Sequence, residues 1–199
     1  MKSVLISIQP KWCELIANGE KTVEVRKTKP KLDTPFKVYI YQTKKPVSVS
    51  FSGTGKHISE YDKTYYYNER SGKVIGEFVC DAIEHYTSNC TVFESVLLPS
   101  PSELEEMCLK LEEFNSYGTR GKLLYGWHIS NLIIYDKPKE LSEFYTVCKL
   151  NCEYCEMWGS VRVNAEEFDM DCKSDWFNHK PLTRPPQSWC YVEGGGSDA

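Results

Sequence analysis

The sequence predicts an α+β fold, a small mixed or antiparallel β-barrel with two helices packed on it. Two observations predict this. Strand-like runs outnumber helical ones, and their order, β-α-β-β-β-α-β, lacks the regular alternation of a βαβ protein. At 199 residues, 41% hydrophobic and 26% charged, the chain can bury one good core, so one main domain is expected. No apolar run approaches the roughly 20 residues of a spanning helix. The N-terminal apolar stretch meets Pro10 without a small-residue cleavage site. That argues against a secretory signal and for a cytoplasmic location.

Each element has its own warrant. The β-branched run VLISI alternates as a first strand, and QPKWCELIANG carries helix punctuation, with Pro10 at the first helical position and Gly19 where a left-handed residue ends a helix. Trp12, Leu15 and Ile16 form one apolar stripe. KTVEVRK follows as a second strand. Its alternation sends Val23 and Val25 to one face, and Thr22, Glu24 and Arg26 to the other. KVYIYQT is a third strand with Tyr39 and Tyr41 opposite Val38 and Ile40. Residues 44–72, polar and tyrosine-rich, read as a long hairpin or excursion. KVIGEFVC is a strand with a bulge at Gly76. SPSELEEMCLKLEEF opens with a capping box, Ser100 to Glu103, worth on the order of 1 kcal/mol. Its stripe of Leu104, Met107, Cys108, Leu111 and Phe114 belongs to the core. LLYGWHISNLIIYDKP closes the main body as a strand pair.

Charge and cysteine are unevenly spread. Residues 1–50 hold ten Lys and Arg against four acids, a local net of +6 on a chain of net −4. Such a basic quarter fits either a phosphate-bearing partner or a solvated lysine-rich loop. Of nine cysteines, five fall between Cys148 and Cys190. An odd number in a reducing compartment disfavours a disulfide framework. Cys152 and Cys155, at C-x-x-C spacing, can place two thiolates on one zinc ion, with Cys172 and Cys190 completing four ligands and Cys148 and His179 as alternates. The competing reading is a set of free thiols in an extension where Trp189 docks on the domain. The expected organisation is a main domain over residues 1–140, a Cys-rich C-terminal extension over 141–193, and a flexible terminus over 194–199.

The segment SIQPKWCELIANGEKTVEVRK, with YGWHISNLIIYDKP far downstream, resembles the ASCH domain, a PUA-like β-barrel. The family's G-x-K-x-x-E-x-R stretch stands here as Gly19, Lys21, Glu24 and Arg26. The tail string RPPQSWCYVE looks like ASCH proteins of bacteriophages and prophages. The resemblance implies a cleft beside the motif, lined by Lys21, Glu24 and Arg26, that binds RNA, a nucleoside or a nucleotide. Some relatives are amidohydrolases that deacetylate an acetylated cytidine, using a lysine at the Lys21 position, a threonine at the Glu24 position and a distant carboxylate. Here Glu24 replaces the threonine, and Glu94 and Glu103 are candidates for the distant acid. Other relatives are linked to ribonuclease action.

On chemistry alone, an arginine fork held by a carboxylate reads phosphate or base edges, and Lys21 adds a mobile charge. Against this stands an exposed strand face whose ion pairs are worth about 0–1 kcal/mol. Tyr41, Tyr125 and Trp127 are candidates for base stacking, and His128 for an acid, base or donor. The competing reading makes Trp127 an inward strand position. Binding is therefore expected ahead of catalysis. The alternatives are an enzyme using Lys21 and Glu24, and a phage counter-defence protein that sequesters a signalling nucleotide.

Overall fold

The structure is a computed structural model, and it describes residues 2–44, 47–48, 65–66, 69–88, 98–119, 122–147 and 180–193. Strand β1 (Lys2–Ile8) leads through Gln9 into helix α1 (Pro10–Ala17), then into β2 (Val23–Arg26) and β3 (Phe36–Gln42). Short β4 (Val47–Ser48) and β5 (Tyr65–Tyr66), both within the predicted excursion, pair antiparallel. There follow β6 (Val74–Cys80), β7 (Ile83–Thr87), α2 (Pro101–Glu106), α3 (Leu111–Tyr117), β8 (Leu123–His128), β9 (Ser130–Lys139), β10 (Tyr145–Thr146) and β11 (Trp189–Glu193).

The α+β class holds, but the expected barrel does not close. The described strands form a six-stranded sheet, β10-β11-β1-β3-β6-β9, and a separate three-stranded sheet, β2-β8-β7. Only β1 and β3 in these sheets run parallel, which makes the larger sheet mixed. Strand β1 is buried from Ser3 to Ile8 because it has a neighbour on each side and apolar clusters on both faces. Val4, Ile6 and Ile8 enter one cluster with Val38, Ile40, Phe78 and Trp127, while Leu5 enters another with Tyr39, Tyr41 and Phe144. A third cluster, Val23, Val25, Tyr86, Met107, Phe114 and Leu124, lies between the small sheet and α2–α3.

The bulge expected at Gly76 is present as register shifts in both pairings of β6. A Cβ there would sit 2.4 Å from the Ile133 carbonyl oxygen, so the close approach of β9 requires glycine. The capping box also forms as expected: Ser100 Oγ accepts from the Glu103 amide, and Glu103 Oε2 accepts from the Ser100 amide. The single helix expected after it does not continue. Cys108 adopts φ 52°, and the Leu109 amide donates back to the Leu104 carbonyl, so the helix ends and α3 restarts after Lys110. Leu111 is consequently exposed, while Met107 and Phe114 keep their core positions.

Candidate functional site

Helix α1 ends with its last carbonyls satisfied by the turn that follows it. The amides of Glu20 and Lys21 both donate to the Leu15 carbonyl, and Gly19 takes φ 74° with no heavy atom near a would-be Cβ. Glycine is needed here for the left-handed backbone rather than for space. This turn delivers Lys21 to the end of α2, where its ammonium donates to the Met107 carbonyl at 2.6 Å. That carbonyl is the free end group of a helix, and a cation suits it.

Along β2 the alternation works as the sequence predicts, but the charged face is not wet. Val23 and Val25 enter the third cluster, and Glu24 and Arg26 point the other way, yet Lys21, Glu24 and Arg26 are only 3%, 6% and 8% exposed. Arg26 Nη2 lies 3.0 Å from Glu24 Oε1, and Lys21 Nζ lies 3.5 Å from Glu24 Oε2. One carboxylate therefore holds two cations, and the cluster keeps a surplus positive charge. Burial holds the Lys21 ammonium below the ordinary lysine range, and Glu24 pulls in the opposite direction. Arg26 Nη2 also donates to the Ser7 carbonyl at 2.7 Å, and Nη1 reaches Ser188 Oγ at 3.5 Å. Its Nε is buried with no hydrogen-bond partner.

The cover over this cluster comes from residues that strand and helix periodicity do not point to. The segment before β11 is laced to β1: Ser7 Oγ donates to the Pro186 carbonyl at 2.7 Å, and the Ser7 amide donates to the Ser188 carbonyl at 2.8 Å. Trp12 lies 5.1 Å from the Lys21 ammonium. Tyr117, at the end of α3, is close enough for the charges of Arg26 and Glu24 to act on its hydroxyl, whose pKa burial raises. The residue is 38% exposed. Nothing local in the sequence marks Ser188 or Tyr117, because both reach the motif only through tertiary folding.

The other predicted site residues divide between two faces. Trp127 stands opposite Glu24 across the β2–β8 ladder, fully buried and edge-on to Phe36 at 5.9 Å. Its indole Nε1 has no hydrogen-bond partner, so it meets the cluster as a buried donor rather than as an open stacking surface. His128, next along β8, points away from Glu24 and faces Glu84, its Nε2 lying 3.5 Å from Glu84 Oε2. Tyr41 belongs to the cluster on the far side of the large sheet and is remote from the motif. Glu103 is committed to its capping box and to the Tyr86 hydroxyl, 3.0 Å away.

Glu94, Cys148, Cys152, Cys155, Cys172 and His179 lie outside the described residues. Cys190 sits in β11 against the second cluster, and burial pushes its thiol up to about 11. No group of three or more potential metal ligands occurs among the described residues.

A family model, the ASCH domain, matches residues 6–169, which spans the motif, the whole three-stranded sheet and the larger sheet apart from β11 and most of β1. The chain belongs to the ASCH family. The ASCH domain is a PUA-like domain generally linked to RNA binding. Solved structures of the ASCH protein from Zymomonas mobilis are similar at low identity. One is 19% identical over 70% of this chain and 73% of that one, with a TM-score of 0.45. A serine-to-alanine mutant of the same protein is 17% identical over 95% and 87%, with a TM-score of 0.49. No curated protein matches this ASCH chain. No helix among its described residues is long and apolar enough to cross a membrane.

Proposed function

We propose that this chain binds RNA or a nucleotide-like ligand beside the GxKxxExR motif, with Arg26 as the group that meets the ligand's anionic or base-edge atoms. One observation carries the reading: two cations and one carboxylate are buried together with positive charge left over. Burying ions costs several kcal/mol each, and hydrophobic residues of similar volume often serve stability as well or better. A ligand carrying negative charge supplies the missing partner. The orphaned Arg26 Nε and Trp127 Nε1 donate to it, and Tyr117 stands at the entrance. Glu24 fixes the guanidinium plane and Lys21 fixes Glu24.

The test is equilibrium binding of short RNAs and of a nucleoside and nucleotide panel to wild type and Arg26→Gln, with thermal melts as a fold control. A drop in affinity of about tenfold or more in a folded Arg26→Gln protein is expected. Equal binding by the two proteins refutes the reading. Capture of one cyclic or linear nucleotide over RNA would instead favour sequestration of a signalling nucleotide, the reading that the phage-like string RPPQSWCYVE supports.

A second reading rests on the lowered Lys21 pKa. A lysine that gives up its proton more readily can serve as a base in an amidohydrolase or ribonuclease, with Glu24 as its proton partner. It predicts acetate release from an acetylated cytidine, or RNA cleavage, that vanishes in Lys21→Ala. A wild type inactive on both substrates removes it.

A further inference from the structure

Directly after Arg26 the chain leaves the small sheet as the run Lys27-Thr28-Lys29-Pro30-Lys31. Its alternate residues are tied down. Thr28 Oγ1 accepts a hydrogen bond from Trp189 Nε1 at 2.9 Å, Pro30 is buried, and the Lys31 amide donates to the Tyr191 hydroxyl at 2.6 Å. The three lysines are left exposed on an anchored backbone. Among the described residues none of the three forms an ion pair, whereas Lys37 and Lys73 each have a carboxylate partner, Glu77 and Glu140. Only Asp33 supplies an acid between Lys27 and Lys37. Two of the lysines lie over half-open rings instead: Lys27 Nζ is 4.9 Å from the Tyr117 centroid, and Lys29 Nζ is 5.9 Å from that of Tyr125.

We infer that this run is a phosphate comb for single-stranded RNA, leading a strand into or out of the Arg26 cluster with Tyr117 and Tyr125 as base-stacking rings. The inference rests on the RNA reading above and specifies its substrate class. Lysines two residues apart on an extended chain are separated by up to about 7 Å, on the order of the step between phosphates of an extended strand. The rings decide between single strand and duplex. In the free protein each ammonium covers a ring. A bound strand exchanges both contacts at once, its phosphate taking the ammonium and its base taking the ring. A duplex offers the phosphates but keeps its bases stacked on one another. The anchoring by Trp189 and Tyr191 matters because a comb held in place loses less freedom on binding than a free loop.

Fluorescence anisotropy tests this with a labelled RNA on the order of 12 nucleotides, its duplex, and a mononucleotide, each titrated over a series of salt concentrations. Each lysine–phosphate contact on a single strand contributes about 0.7 to the slope of log affinity against log salt, so K27Q/K29Q/K31Q should flatten that slope by about 2. Tyr117→Ala with Tyr125→Leu should lower affinity about tenfold without changing the slope. The single strand should bind at least tenfold more tightly than the duplex. A wild-type slope in the triple-lysine variant, or equal affinity for duplex and single strand, overturns the comb. If Arg26→Gln still loses binding in either of those cases, the cluster reading survives. Binding of the mononucleotide but of neither RNA likewise overturns the comb alone, and binding of none of the three overturns both.

Discussion

Residues 21–26 and 27–31 are one uninterrupted stretch with three charged side chains in each half, yet the two halves meet opposite fates. In the first half Lys21, Glu24 and Arg26 are buried and paired; in the second Lys27, Lys29 and Lys31 are exposed and without carboxylate partners among the described residues. In both halves the charged residues stand two or three positions apart. What differs is the cover: Trp12, Met107 and the segment around Ser188 close over the charged side chains of the first half, whereas Trp189 and Tyr191 tie down the backbone of the second and leave its lysines exposed. Alternation therefore says which side chains share a face, and tertiary neighbours decide whether that face is wet.

The largest expected effect lies in the buried half. Glu24→Ala leaves two cations without their shared carboxylate, and breaking a buried ion cluster in this way costs about 3–5 kcal/mol. Urea denaturation should show the loss as a lower midpoint at unchanged slope. A cost below about 1 kcal/mol would mean that the cluster behaves like a surface pair. The contrast between the two halves would then collapse.

Much of this site was legible in the sequence, and the reason is local chemistry. Pro10, Gly19 and the valines of β2 set the helix, the turn and the strand face without help from distant residues, so the motif's arrangement could be read directly. The capping box at Ser100 and the bulge at Gly76 were legible for the same reason. The burial of the charged face was not, because Ser188 and Tyr117 arrive from far along the chain. Nor was the break at Cys108, where the apolar stripe continues through a residue that adopts φ 52°. The open sheets in place of a closed barrel follow from strand pairing that periodicity alone does not specify.

A pH series sharpens the comparison with a smaller effect. Because Lys21 has its pKa lowered in the folded state, the unfolded chain binds more protons between that lowered value and the ordinary 10.5. Stability contributed by this group therefore rises as pH climbs through that window. Burial raises Tyr41, Tyr86 and Tyr117, and these make stability fall once pH passes the ordinary tyrosine range. The Lys21 contribution is thus read as the stability of wild type relative to Lys21→Met, which should rise steadily as pH climbs towards 10. A constant difference would mean that Lys21 is hydrated in the folded protein.

Trp127→Phe separates packing from recognition. The smaller ring leaves a gap, but the substitution also removes a buried indole N–H without a partner, a group that costs about 1–3 kcal/mol to leave unsatisfied. These terms oppose each other, so the net stability change should be on the order of 1 kcal/mol. Ligand affinity should fall more than stability if the N–H serves the ligand. A loss of stability with unchanged affinity would make Trp127 a core residue alone.

The smallest expected effect on stability belongs to the exposed half. Lys29→Gln removes a charge that pairs with no described carboxylate and lies 5.9 Å from the Tyr125 centroid, so it should move the urea midpoint by no more than about 0.5 kcal/mol. That small number makes the residue informative. If the lysine contributed through its ring contact, Lys29→Gln would lose stability in wild type but not in a Tyr125→Leu background, where the contact is already gone. If instead the ammonium is held ready for a phosphate, stability stays level while the salt dependence of RNA binding weakens by about 0.7. Performed beside Glu24→Ala, the pair of measurements tests whether one charged stretch has been divided into a buried half that sets geometry and an exposed half that supplies charge.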